Sequence, residues 1–119
     1  MLDVGKKVTT VYLTAPYAGM EKPTAVVLRR VARKIRDKGS AVVCPILQFH
    51  SMGCTGENYP ARQDLPVITA AIERADVVMV VCLGGWATSE MIQHEIAIAE
   101  NDGVPVVYLD PAMFSVNQG

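Results

Sequence analysis

Aromatic residues make up only 6% of this chain and its net charge is −1. It therefore has no basic stripe interleaved with aromatics, and nucleic acid is not an expected partner. Apolar runs are short as well. None approaches the roughly 20 residues that a membrane-spanning helix needs, so no membrane partner is expected. The first residues, Met1-Leu2-Asp3-Val4-Gly5-Lys6-Lys7, lack the apolar core of a secretory leader. Histidine and cysteine are scarce and scattered. His50 and His94, with Cys44, Cys54 and Cys82, show no metal-ligand spacing, and no metal is expected. Cys44 and Cys82 fall in apolar runs, where a free thiol behaves as a small hydrophobe, and a reduced, cytoplasmic protein is the simplest reading. There is no phosphate-binding loop ending in Gly-Lys-Ser/Thr and no dinucleotide glycine pattern after the first apolar run. Ser89 is not flanked as Gly-x-Ser-x-Gly, so it is not a nucleophile elbow. No cofactor is implied.

Half of the 119 residues are hydrophobic and 19% are charged, a composition that suits one globular domain spanning 1–119. Val8 to Leu13 is apolar and β-branched, and it runs into Thr14-Ala15-Pro16-Tyr17-Ala18-Gly19, a strand followed by a turn-rich loop. Pro23-Thr24 opens a helix with Ala25, Leu28, Val31, Ala32 and Ile35 on its inner face. Arg29, Arg30, Arg33, Arg36 and Lys38 crowd the remainder and read as a solvated face, and Gly39 is the stop. Ala41 to Leu47 reads as a second strand. The polar stretch from Gln48 to Arg62 follows, long enough to serve as a lid or pocket wall, and it carries His50 and Tyr59 as candidate ligand contacts. Asp64-Leu65-Pro66 opens another helix, with Leu65, Ile68, Ala71, Ile72 and Ala75 facing inward. The spacing then predicts a strand over 77–83, a loop over 84–89, a helix over 90–101 and a strand over 104–109. Continuous apolar strands alternating with helices argue for a small doubly wound, flavodoxin-like α/β domain. Its parallel sheet of four to five strands would be covered by helices on both faces. Ligands of such folds bind at the carboxyl ends of the strands.

One residue breaks the pattern. In the helix over 90–101, Ile92, Ile96 and Ala99 form an apolar face flanked by Met91 and Ile98, while Gln93, His94, Ala97, Glu100 and Asn101 lie opposite. Glu95 falls near the middle of the apolar face, where an unpaired charge is costly. It reads either as a working carboxylate or as the buried partner of an arginine such as Arg62. Asp64, at the start of the preceding helix, reads either as an N-cap or as a second acid at the same sheet edge. A desolvated and a more solvated carboxylate are the equipment for cleaving a glycosidic bond. Ser89 or Thr88 is placed to cap the Glu95 helix, and Asp76 reads as structural.

The run Val11-Tyr12-Leu13-Thr14-Ala15-Pro16-Tyr17 resembles the first strand and loop of the nucleoside 2-deoxyribosyltransferase superfamily. So does Ala75-Asp76-Val77-Val78-Met79-Val80-Val81, followed by Ser89 and then Glu95. Ile96 to Ala99, Gly103, Pro105 and Val106 are similar to that family's carboxylate helix and following strand. The Gly85-Trp86-Ala87-Thr88-Ser89 loop is more like that of a small bacterial and phage branch. The resemblance implies that Glu95 is the nucleophile that attacks C1′ of the sugar. It also implies that Ser89 contacts sugar or phosphate and that the loop carrying Tyr17 and Gly19 helps to hold substrate. The family's second acid would stand eight residues before Asp76, where this chain has Ile68; Asp64 lies one helical turn earlier.

The expectation is an N-glycosidic hydrolase or transferase acting on a nucleoside or nucleoside 5′-monophosphate. Glu95 and Asp64 would be the catalytic residues, and Thr14, Tyr17, Gly19, His50, Trp86 and Ser89 would bind substrate. The resemblance adds a homo-oligomer, dimer or tetramer. The alternative is a nucleotide-binding or sensing module of the same fold that no longer turns substrate over.

Overall fold

The computed structural model describes residues 8–17, 19–51 and 65–114. Strand β1 spans Thr10–Thr14, helix α1 Glu21–Asp37, strand β2 Ala41–Val43 and helix α2 Pro45–Ser51. Helix α3 spans Leu65–Arg74, strand β3 Val77–Val81, helix α4 Glu90–Asn101 and strand β4 Val106–Leu109. Single 3-10 turns cover Trp86–Thr88 and Pro111–Phe114. The four strands are all parallel, in the order β2-β1-β3-β4. That order is flavodoxin-like, as expected, and its direction reverses between β1 and β3, which places the topological switch point there.

Alternation along β1 divides the core. Tyr12 packs with Ile68 and Ile72 of α3 and with Ile92, Ile96 and Ala99 of α4. Leu13 packs on the other face with Leu28 and Val31 of α1 and Ile46 of α2. Both faces of the central strands are thus sealed, which is why β1 and β3 read as unbroken apolar runs. The edge strand β4 is less covered, with Val107 and Tyr108 exposed. Among the described residues, no helix is long and apolar enough to cross a membrane.

The helix faces match their periodicity closely. In α4, Ile92, Glu95, Ile96 and Ala99 are buried, and all five residues assigned to the opposite face are exposed. Helix α4 ends in a Schellman motif. The Gly103 N–H donates to the Glu100 carbonyl at 3.3 Å and the Val104 N–H to the Ala99 carbonyl at 2.8 Å. Gly103 supplies the positive φ of 73° that this closure requires. Helix α1 closes in the same way at Gly39, the stop read from the sequence.

Several boundaries differ from expectation: β1 runs over Thr10–Thr14 rather than Val8 to Leu13, and β4 begins at Val106 rather than Val104. The segment expected as a strand over Ala41–Leu47 stays extended only to Val43, and Pro45 begins a helix instead. Proline has no N–H to give a sheet, while its fixed φ suits a first helical turn. The amides of Leu47 and Gln48 close that turn on the Cys44 carbonyl, at 3.1 and 3.3 Å. His50 therefore stands on a helix rather than in a loop. Helix α1 begins at Glu21, ahead of Pro23, and the Thr24 hydroxyl ties it to the Pro16 carbonyl at 2.7 Å. Strand β3 stops at Val81 because the Leu83 N–H turns back to the Val81 carbonyl at 2.8 Å.

Candidate active site

Parallel strands put the segments after Thr14, Val43 and Val81 at one edge of the sheet, and α4 starts from that edge. Glu95 projects from the second turn of α4 onto β1 and is 2% exposed. The Tyr12 hydroxyl donates to its Oε2 at 2.5 Å and the Thr14 hydroxyl donates to its Oε1 at 2.8 Å. Tyr12 and Thr14 are two residues apart on β1 and so point to the same face. Both oxygens of the carboxyl are thereby fixed by rigid elements. Among the described residues no cation joins them. Arg62, the arginine considered as a partner from the sequence, lies outside the described residues.

The electrostatic result is a proton-holding carboxyl. Burial pushes Glu95 up from 4.5 to about 7, against the opposing pull of the Tyr12 and Thr14 hydrogen bonds. Among the described residues no counter-charge offsets that burial, so the carboxyl keeps its proton to near neutrality. A structural ion pair would instead hold the proton off. Nearby, Cys44 is buried and its thiol is pushed up to about 12, first by desolvation and then by the charge of Glu95. A thiol so placed is inert.

A second constellation forms at the same edge. Tyr17, three residues beyond Thr14, is 5% exposed, and its hydroxyl lies 2.6 Å from Nδ1 of half-buried His50. The rings meet edge to face, 5.8 Å apart at 88°. Tyr17 shares its core cluster with Cys44, the residue that feels Glu95. Two loop candidates from the sequence, Tyr17 and His50, are thus joined directly.

The remaining candidates have different placements. Thr14 is at the carboxyl itself. Gly19 is exposed, and its N–H donates to Glu21 Oε2 at 2.9 Å. Ser89 caps α4, its Oγ accepting from the Ile92 N–H at 3.3 Å, which leaves its hydroxyl proton for another acceptor. Trp86 packs on the core and against Tyr108, with ring centroids 5.2 Å apart, so it holds the loop down on β4. Asp64 and Tyr59 lie outside the described residues. Asp76 accepts from the Thr10 N–H at 2.7 Å and anchors the start of β1, a structural role. His94 is exposed on the polar face of α4.

Tyr12 is the site residue that sequence reasoning missed. A signal for it existed: a tyrosine and a threonine two apart in an otherwise apolar buried strand need hydrogen-bond partners, and the helix over 90–101 carried one unexplained carboxyl.

Among the described residues no three His, Cys, Asp or Glu side chains come together to hold a metal ion. A groove of about 540 Å³ lined by Arg29, Arg33, Arg36 and Leu47 lies along α1 and α2. Glu95 is on the opposite face of the sheet from these helices.

The family described as "Domain of unknown function (DUF4406)" matches the chain over residues 9–108, from just before β1 into β4. The matched span includes every residue of the two constellations above. No curated protein matches the chain.

Proposed function

The chain belongs to the DUF4406 family, and we propose that it cleaves or transfers at the N-glycosidic bond of a nucleoside or nucleoside 5′-monophosphate, with Glu95 as nucleophile. The observation that carries this reading is the Glu95 carboxyl. It is buried beside the carboxyl end of β1, held through both oxygens by Tyr12 and Thr14, and free of any described cation. The resemblance of the strand, loop and helix sequences to the nucleoside 2-deoxyribosyltransferase superfamily supports it.

In this scheme an oxygen of ionised Glu95 attacks C1′ as the C1′–N bond breaks, and the bonding pair leaves with the base. The Tyr12 and Thr14 hydroxyls keep the carboxylate plane fixed, so the attack costs little reorganisation. Desolvation strips the carboxylate of the water that would otherwise blunt it. Water then attacks C1′ and releases Glu95, giving hydrolysis; a second base in place of water gives transfer. The departing base needs a proton, and Asp64 is the candidate read from the sequence. No metal or cofactor takes part. A cytoplasmic homodimer or tetramer completes the proposal.

One observation favours the second reading, a nucleotide-binding module without turnover. Ile68, where the resemblance would put a second acid, is 1% exposed and packed among Tyr12, Ile72 and Ile92. The test is to incubate the protein with a panel of nucleosides and nucleotides, with and without an acceptor base, and to assay free base. Release that disappears in Glu95→Gln supports the enzyme. Binding without release from any member supports the module.

A further inference from the structure

We infer that His50, oriented by Tyr17, is the acid that protonates the departing base. This inference rests on the N-glycosidic reading above and gives its second chemical role to residues other than Asp64.

The geometry has three parts. First, among the described residues His50 is tied at one ring nitrogen. Nδ1 meets the Tyr17 hydroxyl at 2.6 Å, while Nε2 has no partner among the described residues. The His50 side chain is half-buried, so part of it is open to solvent. A half-buried imidazole with one nitrogen anchored and the other without a described partner is arranged as a directed proton donor. Second, the anchor is rigid. Tyr17 is buried in a cluster with Leu13, Leu28 and Val81, and its ring meets the imidazole edge to face. Third, the two constellations approach the carboxyl edge from opposite faces of the sheet. Glu95 comes from the α3/α4 side, and Tyr17 and His50 come from the α1/α2 side. Displacement at an anomeric carbon needs nucleophile and leaving group on opposite sides of the sugar, and a sugar seated at this edge between the two constellations would meet that need.

The proton balance closes without another reactant. In the acid form Nδ1–H donates to the Tyr17 oxygen and Nε2–H faces the base. As the C1′–N pair moves onto the base, the Nε2 proton goes with it, leaving a neutral ring still anchored through Nδ1–H. When water attacks C1′ and frees Glu95, its released proton returns to Nε2. His50 is then a catalytic residue and Tyr17 a positioning residue.

The test compares two leaving groups in the full-length protein: a nucleoside, whose base needs a proton, and the 4-nitrophenyl glycoside of the same sugar, whose phenolate departs without one. His50→Gln is expected to slow base release by about 10²- to 10⁴-fold and to leave nitrophenolate release within about threefold. Tyr17→Phe keeps the ring packing and should slow base release by about 5- to 10-fold, again sparing the aryl glycoside. Glu95→Gln should abolish both reactions. If His50→Gln slows both substrates equally, or neither, the inference is overturned while the Glu95 reading stands. Loss of base release in Asp64→Asn with His50→Gln unaffected overturns it in favour of Asp64. A wild-type protein that cleaves neither substrate removes the N-glycosidic reading and this inference with it.

Discussion

Replacing Glu95 by Gln should make the protein more stable at alkaline pH. The native state holds the Glu95 proton up to about pH 7, whereas the group titrates near 4.5 when solvated. Between those values the folded protein binds more protons than the unfolded chain, so stability must fall as pH rises through the window. At about 1.4 kcal/mol for each tenfold in proton affinity, the full loss is roughly 3 kcal/mol above pH 7. Glutamine carries no charge and is free of this loss. Its amide nitrogen replaces one acceptor, so either Tyr12 or Thr14 must turn its hydroxyl to accept, at about 1 kcal/mol. The net expectation at pH 8.5 is a gain of about 2 kcal/mol, with near parity or a slight loss at pH 4.5. Urea denaturation followed by the fluorescence of Trp86, the single tryptophan, measures this across the range. A structural ion pair at Glu95 gives the opposite sign, because removing one partner of a buried pair costs several kcal/mol. A Glu95→Gln protein less stable than wild type at pH 8.5, or a wild-type curve flat from pH 4.5 to 7, would refute the reasoning.

Activity should show the complementary dependence: cleavage of an aryl glycoside should rise with pH to a plateau, with a midpoint near 7, as Glu95 ionises. Tyr12→Phe removes a hydrogen bond that favours the ionised form, so the midpoint of the same pH–rate profile should move upward. Ser89→Ala should cost about 1 kcal/mol of stability through the lost cap on α4, read from urea midpoints; a fall in kcat/KM well beyond the stability loss would show that the hydroxyl also meets substrate. Gly103→Ala should cost about 1 kcal/mol by backbone strain alone, since a Cβ there meets nothing within 4 Å. Hydrogen exchange at the last turn of α4 should report that fraying directly.

Local pattern reaches a definite depth in this chain. The α4 boundaries, its buried face and the misplaced carboxyl were legible because helical period is a property of adjacent residues. Gly39 as a stop was legible because only a local φ is at stake. Pro45 was readable too, since a proline inside an apolar run argues against a central strand, yet the run Ala41–Leu47 masked it. The fate of Ser89 as a cap was likewise written beside it in sequence.

The sequence by itself determined the α/β alternation, the parallel sheet and the fact that Glu95 is buried, because each follows from hydrophobic spacing along a few turns. Tertiary structure alone decided what Glu95 touches and which loop residues meet. Tyr12 and Thr14 reach the carboxyl from 83 and 81 positions away, and Tyr17 reaches His50 across 33. The physical reason is that burial is set by the periodicity of one element, whereas a hydrogen bond needs two elements brought to within 3 Å by the crossover topology. Periodicity showed that a carboxyl was buried, and the β1–α4 packing made it a carboxyl held by two hydroxyls and titrating near 7.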